Sequence, residues 1–234
     1  MRLRDLFYNL VNGELSNLAM AATLVSDTIT PDHKKVVIYA NDALMRLYSK
    51  FVLKERDVVI ITQSGVTNYH LDSRFSIQGH DSRLIKVPYI QDLPQEPFSN
   101  DVVKVLAVYD SSGCELNLND AECPNSVYTP QANVLQVPLL YDGMVLSVLY
   151  QAKHATLTTD DTAEIIELPD VLYSAFTAYI AYKVYSHINT QESSAKAQEH
   201  LALYTSLTDD AIRNDTIGVS ISGTNTRFQK RGWI

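Results

Sequence analysis

Cys114 and Cys123 stand nine positions apart, in a stretch that also carries Glu115, Asp120 and Glu122. Thiols and carboxylates together could hold a metal ion or form a redox pair. A zinc site, however, pairs its ligands two to four residues apart on a turn and needs a second pair. Here the second pair would have to be borrowed from His70 or His80. The spacing therefore predicts two loop thiols and no metal or cofactor site, and the acidic neighbours leave both thiols poor nucleophiles.

The six histidines, His33, His70, His80, His154, His187 and His200, fall into no triad and no His-Glu-x-x-His arrangement. His33 lies in the first turn of a helix, where solvation is expected, and His187 and His200 flank a helical bend. His154 with Asp160 or Asp161 is the one combination that could serve a small hydrolase, yet a satisfied surface histidine is the simpler expectation. The acid pairs Asp160-Asp161 and Asp209-Asp210 are adjacent, whereas a glycosidase needs two acids facing across a cleft. No Gly-x-Gly-x-x-Gly or P-loop occurs among the 8 glycines. No residue is assigned a catalytic role, and the chain is read as a non-enzyme.

What remains is a folded chain of 234 residues, 46% hydrophobic and 20% charged, long enough for one generous or two modest cores. A formal charge of -8 and a pI near 5.2 argue against a phosphate-neutralising surface. No apolar run reaches eighteen residues, so no membrane span is expected. The start, Met1-Arg2-Leu3-Arg4-Asp5, lacks the pattern of a signal peptide. Two cysteines are too few for a secreted disulfide framework, so a reducing, cytosolic place of synthesis is expected. Tyrosine, at 14 residues, is in excess, and tyrosine is enriched where proteins meet.

Three zones organise these residues. In the first, Leu3, Leu6, Phe7, Leu10 and Val11 recur at helical spacing until Gly13. Thr30-Pro31-Asp32 then opens a long helix with a hydroxyl cap, a first-turn proline and an acid at the positive end of the dipole. Its stripe is Val37, Ala40, Leu44, Leu47, Tyr48 and Phe51, with Lys50 and Lys54 near the carbonyl end. In the second zone the period changes to that of strands. Val58–Ile61, Leu84–Val87 and Val102–Tyr109 are apolar runs, the last closed by Asp110-Ser111-Ser112-Gly113. Val134–Pro138 and Met144–Lys153 flank Tyr141-Asp142-Gly143, which predicts a hairpin with an Asp-Gly turn. Leu146, Val148, Tyr150 and Ala152 share one apolar face.

The third zone is a tyrosine-rich helical hairpin. Leu168-Pro169-Asp170 opens a helix whose apolar side carries Leu172, Ala175, Phe176, Tyr179, Tyr182 and Ser186. After a bend at Thr190-Gln191-Glu192, Ser193–Ala211 repeat the period with Ala197, Leu201, Tyr204, Thr208 and Ala211. Tyr173, Tyr179, Tyr182, Tyr185 and Tyr204 are the candidate interface residues of this hairpin. Beyond Asn214, Val219-Ser220-Ile221-Ser222 alternates like an edge strand. Arg227, Phe228, Lys230, Arg231 and Trp233 follow it, a composition suited to an arm that adds a strand to a neighbour's sheet and anchors with rings.

The expected fold class is therefore α+β. Helices from 1–56 and 160–214 form a bundle, an antiparallel β module over 57–159 is inserted in it, and 215–234 form an extended arm. The order of features resembles the head-to-tail connector (adaptor) proteins of tailed bacteriophages, particularly short-tailed ones. Four stretches carry the resemblance: Arg2–Val11; Tyr39-Ala40-Asn41-Asp42-Ala43-Leu44-Met45-Arg46-Leu47-Tyr48-Ser49; Asp101–Asp110 with Leu146–His154; and Glu167–Leu172 leading into Ala178–Val184. The resemblance implies a structural virion protein at the head-tail junction, without turnover. It further implies a homo-oligomeric ring, dodecameric in the family, docked on a portal protein and a tail tube or nozzle protein, with DNA passing transiently. A β-rich tail or baseplate component is the alternative. The acidic balance suits a channel that should repel phosphates.

Overall fold

The computed structural model describes residues 1–26, 28–79, 87–138, 143–159, 165–188, 190–214 and 216–217. Among the described residues three helices come first: α1 (Leu3–Asn12), α2 (Met20–Leu24) and α3 (Pro31–Lys50). Seven strands are then described: β1 (Glu55–Ile61), β2 (Asn68–His70), β3 (Ile90–Gln91), β4 (Val102–Tyr109), β5 (Tyr128–Gln131), β6 (Val134–Gln136) and β7 (Val145–Ala152). Helices α4 (Tyr173–Ser186) and α5 (Gln191–Arg213) close the order, so the fold is α+β.

Helix α3 forms as its cap predicts. The Thr30 hydroxyl accepts from the His33 amide, while Nδ1 of His33 accepts from the Thr30 amide at 3.1 Å. An imidazole thus takes the place that glutamate holds in the usual capping box. This corrects the expectation that His33 is solvated. Its ring is buried, packed edge-on against Phe7 with centroids 4.8 Å apart. The stripe from Val37 to Phe51 is buried as expected, against Leu3, Leu6, Phe7 and Leu10 of α1 and against α4.

Helix α4 departs from the one-sided pattern. Phe176, Ala178, Tyr179, Ile180, Ala181 and Val184 are all buried, covering its whole circumference, as befits a helix enclosed by others. It lies between α3 and α5, while Thr177 and Tyr185 bond Glu14 in the segment after α1. Ser186, assigned to the apolar side, is exposed.

The strands form two antiparallel sheets, ordered β3-β1-β7-β4 and β2-β6-β5. β1 and β7 pair from Glu55↔Gln151 to Ile61↔Val145. This places Val58 and Ile60 with Leu146, Val148 and Tyr150 in a second core shared with Tyr69 and Leu135 of the smaller sheet. The apolar face of β7 is the predicted one. The predicted hairpin joining Val134–Pro138 to Met144–Lys153 is not formed. β6 pairs with β2 and β5, and β7 with β1 and β4. Gly143 does take the positive φ expected, +78°. Its N–H, however, bonds the Thr62 carbonyl, and Met144 exchanges bonds with Thr62, stitching that turn to the end of β1. Pro130 sits in β5, an edge strand, within the register shift between the pairs Tyr128↔Gln136 and Gln131↔Val134, a place where a strand tolerates proline. The expected strand Leu84–Val87 and residues Tyr141 and Asp142 lie outside the described residues, apart from Val87.

Candidate assembly interface

The tyrosine hairpin is where sequence and structure can be compared residue by residue. Tyr179 and Tyr185 lie inside the chain's own core, and Tyr173, Tyr182 and Tyr204 are half-buried. Tyr179 is the hub. Its ring stands 5.1 Å from that of Tyr204 and 5.6 Å from that of Tyr182, and its hydroxyl donates to Asp42 at 2.9 Å. Lys183 pairs with the same carboxylate oxygen at 2.9 Å, and the Arg46 guanidinium lies 5.1 Å from the Tyr179 ring centroid.

Each position follows from helix geometry. Asp42 and Arg46 are four apart on α3, Tyr179, Tyr182 and Lys183 share a face of α4, and Tyr204 comes from the facing side of α5. Burial opposes ionisation of Asp42, yet the bonds from Lys183 and Tyr179 hold its carboxyl below the usual range. Burial, with the hydrogen bond to Asp42, pushes the Tyr179 phenol well above its ordinary value. Over this neutralised hub lies a surface of half-buried Tyr182 and Tyr204 with the exposed Arg46 and Met45. Tyrosine and arginine over a packed floor are the composition from which interface hot spots are built. Asp42, Arg46 and Lys183 were not among the sequence-derived candidates. The i,i+4 spacing of Asp42 and Arg46 was the available signal.

Tyr185 serves the interior. Its ring stacks on His200 at 5.4 Å and its hydroxyl donates to the Glu14 carbonyl. Tyr173 has a buried hydroxyl without a hydrogen-bond partner.

The groups weighed for chemistry are placed otherwise. His154 is buried rather than on the surface. Nδ1 bonds the Ala155 carbonyl at 2.5 Å, and Nε2 accepts from the Glu167 amide at 3.0 Å. Both nitrogens are thereby occupied by backbone, and the ring is a strut between the end of β7 and the approach to α4. Asp160, Asp161 and His80 lie outside the described residues, as do the arm residues Val219, Ile221, Arg227, Phe228, Lys230, Arg231 and Trp233. Cys114 and Cys123 are free thiols. Among the described residues no three His, Cys, Asp or Glu side chains converge on a metal-sized site, and no helix is long and apolar enough to cross a membrane.

The same strut belongs to a belt joining helices to sheet. Gln151 of β7 donates through Nε2 to the carbonyls of Tyr48 and Phe51 at the end of α3. Tyr48 donates its hydroxyl to the Glu167 carbonyl, and burial pushes that phenol up to about 12. Asn41 and Leu157 exchange two bonds of 3.0 and 2.8 Å.

A comparison with protein families matches residues 13–227 to the model described as SU10 adaptor protein. No curated protein matches the chain.

Proposed function

The chain belongs to the SU10 adaptor protein family, a family of structural phage head-tail adaptors and not of enzymes, and from that premise we propose the assembly it forms. Copies of the protein associate side by side into a ring beneath the portal, a dodecamer by the resemblance noted above, and the ring joins portal to tail tube or nozzle and surrounds the passing DNA. The observation that carries this reading is the family match across residues 13–227, which spans the sheet core, the helical core apart from its α1 residues, and the arm as far as Arg227.

The helical part, 1–56 with 160–214, acts as the ring wall. The surface of Tyr182, Tyr204, Met45 and Arg46 above Tyr179 is its lateral contact, and Tyr173, near Glu14 and Thr177 on the other side of α4, is a second contact. The β part, 57–159, is splayed outward from that wall or toward the tail. The arm, 215–234, reaches a neighbouring copy or the portal through Val219, Ile221, Arg227, Phe228, Lys230, Arg231 and Trp233. The net charge of -8 suits a passage that repels phosphates rather than holding them.

The test is to mix purified protein with DNA-packaged, tailless heads and image the products by electron microscopy. A new symmetric layer at the portal vertex, absent when residues beyond Gly218 are deleted, supports the proposal. A folded protein that adds nothing to such heads overturns it.

A further inference from the structure

The outer edge of β1 is only half covered. β3 pairs with it at Val59↔Gln91 and Ile60↔Ile90 and then ends. The chain turns away through Leu93-Pro94-Gln95-Glu96, where Glu96 bonds back to the Leu93 carbonyl. Backbone direction alternates along an antiparallel strand. Lys54 and Thr62 bond toward β7, whereas Ile61 bonds toward Tyr89 on the β3 side. Glu55 and Asp57 share the parity of Ile61, so their N–H and C=O groups face the side that β3 has left. A groove of about 490 Å³ opens there, lined by Glu55, Asp57, Asp92, Glu96, Leu93 and Pro97 among others.

The groove is acidic. Its cation, Arg56, is already committed to Glu96 at 2.6 Å and Asp101 at 2.9 Å. Leu93, 65% exposed, gives it an apolar rim. An open strand edge with free backbone groups is a template for another strand. The segment 218–234 of this protein matches it in each respect. It carries the alternation Val219-Ser220-Ile221-Ser222, the cations Arg227, Lys230 and Arg231, and the rings of Phe228 and Trp233.

We propose that the β1 edge from Glu55 to Asp57 is the acceptor for the carboxy-terminal segment of a second copy, added as an antiparallel strand with its cations over the groove carboxylates. This rests on the arm exchange proposed above and names the site that receives the arm. A second copy is favoured over the chain's own tail by direction. Lys50 holds Thr208 and Asp209 at 2.8 and 2.9 Å, so α5 ends near the foot of β1. A tail rising directly from there would run parallel to β1, whereas among the described residues every ladder between named strands is antiparallel and parallel contacts are single bridges such as Ser76↔Ile90.

Disulfide trapping in full-length protein tests this. In a background with Cys114→Ser and Cys123→Ser, chains carrying Asp57→Cys are mixed with chains carrying one cysteine at Val219, Ser220, Ile221 or Ser222. The mixture is oxidised both in concentrated solution and on tailless heads. Lys104→Cys, on the opposite edge strand β4, is the control. A covalent heterodimer that depends on Asp57→Cys, exceeds the control and declines at about 1 M salt, where the Debye length is about 3 Å, supports the proposal. No heterodimer in either setting, equal yield from the control, or, in a further chain carrying Asp57→Cys together with Ile221→Cys, cross-linking only within the monomer overturns it. Head binding that persists without the cross-link would remove this acceptor while leaving the adaptor reading intact. A cross-link without head binding would do the reverse.

Discussion

Tyr179 on α4 donates its hydroxyl to Asp42 on α3 across 2.9 Å, and this bond ties the central helix to the long one beneath the candidate lateral surface. Tyr179→Phe keeps the ring and removes the donor. Asp42 is partly exposed and retains Lys183, so the cost should be about 1 kcal/mol rather than that of a fully buried charge. Because the Asp42 carboxyl is held low in the folded protein, its contribution is fully present above the unfolded value of about 4 and is lost as pH falls through the lower folded value. Urea titrations across the acid range should show the variant losing less stability there than the parent. An unchanged acid limb would mean that Lys183 alone sets the carboxyl.

Gln151 makes a sharper prediction. It is buried, and its amide donates to two carbonyls at the end of α3, groups that a helix terminus leaves without partners. Gln151→Leu strands both, offset in part because the unpaired Oε1 is removed as well. The expected loss is about 2 kcal/mol, read from equilibrium denaturation. Gln151→Glu should be worse at neutral pH, since an ionised carboxylate only accepts, and should recover as acid restores a donor. If both variants unfold at the parent's denaturant midpoint, the belt between helices and sheet does not depend on this residue.

Much of this architecture was legible because it is local. Thr30-Pro31, the stripe from Val37 to Phe51, the run Val102–Tyr109 and the alternation in β7 each encode one element through period or capping, and each formed as read. What escaped was set by partners distant in sequence. β2, β3 and β5 are two to four residues long and are defined by their ladders rather than by a pattern of their own. Asp142-Gly143 is a hairpin signal in sequence, and Gly143 takes the positive φ, but its N–H goes to Thr62 at the end of β1. His33 and His154 were expected in solvent because histidine is polar, and are buried with Nδ1 of His33 taken by Thr30 and both nitrogens of His154 taken by backbone groups. At the candidate interface the tyrosines were visible by type. Their division between the interior and the surface was not, since it depends on α4 being enclosed by α3 and α5.

His200 should give the fold a pH dependence near neutrality. Its ring lies flat on Tyr185, its Nδ1 is buried without a partner, and burial holds its imidazolium below the ordinary value despite Glu14 and Glu199 nearby. The unfolded chain therefore binds this proton more readily than the folded one. The stability linked to His200 is present above its unfolded value of about 6.5 and is lost as pH falls through the lower folded value. His200→Phe, which keeps a flat ring but cannot take the proton, should flatten the stability profile below about pH 6.5. A profile that falls as steeply in the variant would assign the dependence to another histidine.

The last prediction concerns Arg56, which joins Glu96 at 2.6 Å to Asp101 at 2.9 Å, with Tyr150 donating to the other Asp101 oxygen at 3.0 Å. The Asp101 side chain is only 10% exposed, so a carboxylate left there alone is costly. Arg56→Met removes the cation and keeps much of the aliphatic stem. Breaking a buried pair costs about 3–5 kcal/mol. Arg56 keeps some access to water and Tyr150 remains, so about 2–3 kcal/mol is expected here. Asp101→Asn on the Met background should recover part of that loss, because the amide removes the stranded charge and still accepts from Tyr150. Were the double variant less stable than Arg56→Met alone, the cost would lie in lost packing of the arginine stem beside its cross-strand partner Tyr150. Equilibrium denaturation of the four chains in one double-mutant cycle separates these cases.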